Sequence, residues 1–110
     1  MKNPEESARF IRENAEAYGI AKGQRIYLEE FRKSKKALLM KDALMRGIEA
    51  ANAQEREAYA DKEYSQMLKG LEAAIMQEET LKWKIEAARL DIEIWKARSF
   101  MERKVEKSHE

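Results

Sequence analysis

A chain of 110 residues has the length of one domain, and 39% of its residues are charged, well above the roughly 25% of an average globular protein. Four Gly, one Pro and no Cys leave almost no turn material for strands and exclude a disulfide framework, a thiolate zinc site and a cysteine nucleophile. A net charge of +1 gives no global attraction to nucleic acid or membrane, so any such binding must come from local clustering.

The elements follow in chain order. Asn3, Pro4 and Glu6 supply an N-cap residue, a first-turn proline and a capping-box acid, so a helix is expected to start at Pro4. Phe10, Ala17, Ile20, Ala21, Leu28, Phe31, Leu38, Met45 and Ile48 recur at helical spacings as one apolar stripe. The helix is read over 4–51, with Gly19 and Gly23 as the places where it would break. Were it to break there, residues 4–18 would be free to fold back over the last helix. Asn52 and Glu55 repeat the capping-box pattern and Asp61 suits an N-cap, which makes 52–61 a short helical connection.

A last helix is expected over 62–104, followed by a flexible tail at 105–110. Tyr64, Leu71, Ile85 and Ile92, with Met67, Ala74, Leu81, Ala88 and Trp95, make an a/d stripe directed at the first helix. A second apolar series includes Met76, Trp83, Leu90 and Ile94 and lies nearly opposite at 100° per residue. A short connection makes the long helices antiparallel. The expected fold is all-α: a long antiparallel helical hairpin as a single domain, oligomerising into a bundle or coiled coil. Met76, Trp83, Leu90 and Ile94 are the expected face between copies, with a dimer as the simplest assembly.

Catalytic chemistry finds no foothold in this pattern. The single histidine, His109, follows Glu106 at i, i+3, but a helical-bundle metal site needs two such motifs facing each other. No Ser or Thr has a histidine base and no Gly-rich phosphate loop is present, so the reading is non-enzymatic, with no cofactor and no metal. The charged opening and the absence of a long apolar run argue for a soluble cytoplasmic protein that neither spans nor lies on a membrane.

Charge is distributed in blocks. Residues 22–46 hold eight bases and three acids, net +5, and residues 49–79 hold three bases and eight acids, net −5. In one reading Arg25, Arg32, Lys33, Lys35 and Lys36 contact the phosphates of single-stranded nucleic acid, with Tyr27 or Phe31 stacking on bases. In the other the two blocks pair with each other and the rest is solvated surface.

The strings KSKKALLM at 33–40, EREAYA at 55–60 and LKWKIEAARLDIEIWKARS at 81–99 resemble a group of small helical proteins encoded by tailed bacteriophages and prophages. The resemblance implies a hairpin in a bacterial cytoplasm, encoded among early genes for replication and recombination. Taken with the basic block, the expected role is that of a phage or prophage accessory protein that binds single-stranded nucleic acid or DNA-processing partners. A module that binds only protein, as an adaptor or an inhibitor of a host protein, is the alternative. The resemblance assigns no catalytic or binding residue.

Overall fold

The computed structural model describes residues 3–109, with the side chain of His109 outside the description. The fold is all-α, built from α1 (Pro4–Met45), α2 (Ala51–Ala60) and α3 (Lys62–His109). Glu110 lies outside the described residues, and helix extends through the rest of the expected tail.

Local chemistry sets the helix ends. Asn3 Oδ1 accepts the Glu6 amide at 2.8 Å, satisfying a first-turn donor, and Pro4 follows where no amide hydrogen is needed. From there α1 runs unbroken through Gly19 and Gly23. It stops six residues before the expected Ala51. Gly47 adopts φ +98°, and the amides of Ile48 and Gly47 donate to the carbonyls of Ala43 and Leu44, each at 3.0 Å. This paired closure, the Schellman arrangement, requires a left-handed residue after the last turn, and glycine takes that conformation without a Cβ clash.

The capping box expected from Asn52 and Glu55 does not form. Ala50 is the N-cap of α2 and has no side-chain cap, while Gln54 Nε2 reaches back to the carbonyls of Ile48 and Glu49. Asp61 serves both neighbours. Its amide donates to Ala58 O at the end of α2, and its Oδ1 accepts the Tyr64 amide at 3.0 Å to open α3.

The chain divides into two compact units, residues 20–78 and the pair of segments 1–19 and 79–110. The first is a helical hairpin: the C-terminal part of α1 returns through α2 to the N-terminal part of α3. Here α3 covers Tyr64, Met67, Leu71, Ala74 and Glu78, alternating steps of three and four. In the second unit the same rhythm continues through Leu81, Ile85, Ala88 and Ile92. Trp95, expected next, is instead 47% exposed; Ile92 is the last large apolar side chain on this stripe to be covered.

The covered face of α1 differs from the expected stripe. Of that stripe Ala17, Ile20, Phe31, Leu38 and Met45 are exposed, while Phe10, Ala21, Leu28 and Ile48 are covered as expected; Ser7, Asn14 and Lys35, outside the stripe, are covered with Ala21 and Leu28 at seven-residue intervals. Tyr18, Arg25, Arg32 and Leu39 are covered beside them. In residues 20–45 many large apolar side chains of α1 therefore face outward, and the covered side mixes Ala21, Leu28, Leu39, Met40 and Ala43 with the charged Arg25, Glu29, Arg32, Lys35 and Lys36.

Candidate interaction surfaces

The polar side of α1 faces inward because its cations meet carboxylates across the 20–78 hairpin. Arg25 forms a two-point ion pair with Glu78, with Nη2 3.0 Å from Oε1, and also reaches Glu29 at 3.1 Å. Glu78 is 6% exposed, so its charge is shielded from water and the two-point contact with Arg25 helps to compensate it. The Arg25 guanidinium has its pKa raised, first by the hydrogen bond to Glu78 and against the opposing effect of partial burial. Lys35 Nζ lies 2.7 Å from Glu63, and Lys36 Nζ donates to Tyr59 Oη at 2.8 Å and to Glu55 at 3.3 Å. Both ammonium groups have raised pKa values, Lys35 chiefly through Glu63 and Lys36 chiefly through Tyr59 and then Glu55.

Four of the five basic residues singled out as phosphate contacts thus already hold carboxylates, Lys33 pairing with Glu30 at 3.2 Å. Arg32 is half-buried on the inward side. Tyr27 and Phe31 stack on one another, ring centroids 6.0 Å apart and planes within 6°. Pairing of the two charge blocks engages Arg25, Lys35 and Lys36, while Lys33 pairs with an acid of its own block.

The outward apolar side of α1 borders a groove that the apolar stripe pointed toward without defining. On the 20–78 hairpin, Gly23, Gln24 and Tyr27 of α1 face Gly70, Ala73 and Gln77 of α3 around a space of about 540 Å³. None of its eight lining residues is charged, in a chain that is 39% charged. A Cβ added at Gly23 or Gly70 would meet no atom within 4 Å. Ile20, Tyr27, Phe31 and Leu38 on this side are 46–65% exposed.

No protein-family model, curated protein or solved structure matches this chain. The resemblance to phage-encoded hairpins rests on its three sequence strings alone. Function has to be argued from the surfaces.

The outward residues of α3 form the remaining feature. Met76 on the 20–78 hairpin, and Trp83, Leu90 and Ile94 on the other unit, are 42–63% exposed on the side away from the covered stripe. Trp83 is held in place locally: its indole Nε1 donates to Glu79 at 3.0 Å, and Lys82 Nζ stands 5.3 Å from its ring centre. Charges of both signs flank Leu90 and Ile94, with Arg89 bound to Glu86 and Lys96 to Glu93. Among the described residues no group of three or more His, Cys, Asp or Glu could hold a metal ion, and no helix is long and apolar enough to cross a membrane.

Proposed function

We propose that this chain is a non-enzymatic protein-interaction module, binding through outward apolar helix faces and not through its basic block. The observation that carries the reading is the contrast between its two surfaces. Arg25, Lys35 and Lys36 are engaged by carboxylates across the hairpin, while Trp83, Leu90 and Ile94 stand half-exposed on one face of α3. Covering what remains of those three side chains is worth roughly 1 kcal/mol each before association entropy is subtracted. The partner chemistry that fits is an amphipathic helix, whose i, i+3, i+4 and i+7 anchors match this spacing, with a mixed-charge rim setting its register. A cytoplasmic adaptor or inhibitor has this character.

Replacing Leu90 with a photoreactive amino acid and irradiating intact bacterial cells tests the reading. The expected result is covalent adducts of discrete mass that contain protein and survive nuclease, and that weaken when Trp83→Lys is added. Adducts that disappear with nuclease would reverse the choice in favour of single-stranded nucleic acid.

A further inference from the structure

The groove between α1 and α3 in the 20–78 hairpin has features that the fold of a single chain leaves unexplained. Gly23 and Gly70 both lie inside helices, where glycine is unfavourable by about 1 kcal/mol relative to alanine. Neither has a positive φ, and neither is required by close packing within the chain, since a Cβ at either site would meet open space. Each has glycine's cost without a benefit visible in the chain itself. Beside Gly23 stand the stacked rings of Tyr27 and Phe31, both largely exposed.

The geometry points to a second copy of this chain as the occupant of the groove, seated about a two-fold axis at Tyr27; this rests on reading the chain as a protein-association module. Phe31 and Gly23 lie four residues to either side of Tyr27. When two α1 helices cross antiparallel at Tyr27, Phe31 of each copy falls opposite Gly23 of the other. A large ring then meets a position on this face that lacks a side chain, as a knob meets a hole. A two-fold axis also brings every group near it against its own kind, so any charge there would face a like charge. The absence of charge from all eight lining residues meets that requirement. The same absence disfavours nucleic acid, which needs cations at this face. Trp83, Leu90 and Ile94, ringed by ions of both signs, remain available for the different partner proposed above.

The test uses the opposite effects that one substitution has on folding and on association. Gly23→Leu adds a better helix former into open space, so the helicity and thermal stability of the single chain should hold or rise. In the dimer the same side chain fills the hole, and the dimer dissociation constant measured by sedimentation equilibrium should rise at least about tenfold, a loss of about 1.4 kcal/mol. Gly19→Leu, outside the groove, is the control and should leave that constant unchanged. Wild-type chain that is monomeric up to about 100 μM, a weak-binding limit, would overturn the inference while leaving the cross-linking test of a foreign partner to stand on its own. A dimer that survives Gly23→Leu but dissociates with Trp83→Lys and Leu90→Glu would also overturn it, and would place self-association on α3 instead.

Discussion

Arg25 and Glu78 show how a polar contact sets the inward side of α1. The carboxylate is almost fully covered, whereas Arg25 keeps about a quarter of its side chain in water and has Glu29 as a second partner. Removing the two partners should therefore have unequal effects. Arg25→Ala removes the two-point cationic partner of a covered carboxylate and should lower the unfolding midpoint by several degrees; Glu78→Ala leaves a cation that can turn to Glu29 and water and should lower it less. Replacing both together, as Arg25→Met with Glu78→Leu, should recover most of the loss, which thermal unfolding of the three variants would establish. Ser7 is wholly buried, and its hydroxyl has no hydrogen-bond partner among the described residues. The charge blocks were legible in the sequence; which cation would meet which acid was not, because pairing depends on the register of two helices far apart in the chain.

At the scale of elements, α3 was readable because its covered face, apart from Glu78, is apolar at heptad spacing. The corresponding reading of α1 assumed that the more apolar side turns inward. Acidic groups at Glu55, Glu63 and Glu78 reverse that choice by offering partners to Lys36, Lys35 and Arg25. The seven-residue spacing of Ser7, Asn14, Ala21, Leu28 and Lys35 was present all along, but only Ala21 and Leu28 of it are apolar, and such a mixed heptad carries little signal without its partner helix. The end of α1 was missed for a different reason. A lone Gly47 reads as an ordinary helix interruption until its positive φ and the two closing hydrogen bonds are seen. Glycines with different roles should then respond with opposite signs. Gly47→Ala forces a Cβ into the left-handed region and should cost about 1–2 kcal/mol, while Gly19→Ala, in open space within the helix, should gain about 0.5–1 kcal/mol. Urea unfolding of the two single variants measures both.

For the whole molecule, the all-α character and the antiparallel return of the chain followed from scarce turn residues and a short connection. The interaction surfaces were only half legible: the outward residues of α3 stood out by periodicity, but the groove joins Gly23 and Tyr27 to Gly70 and Ala73, which no local pattern links. Both surfaces lead to the same functional account, in which apolar faces do the binding and the basic block is occupied at home. Apolar and ionic association respond oppositely to salt, because salt screens charges and strengthens the burial of apolar surface. Sedimentation equilibrium of the wild-type chain from about 50 mM to about 500 mM sodium sulfate, a range that shortens the screening length severalfold, is the most direct measurement. The account predicts a species heavier than the monomer whose dissociation constant stays level or falls as salt rises; an assembly that dissolves as salt rises would contradict it, and a monomer throughout would contradict its self-association.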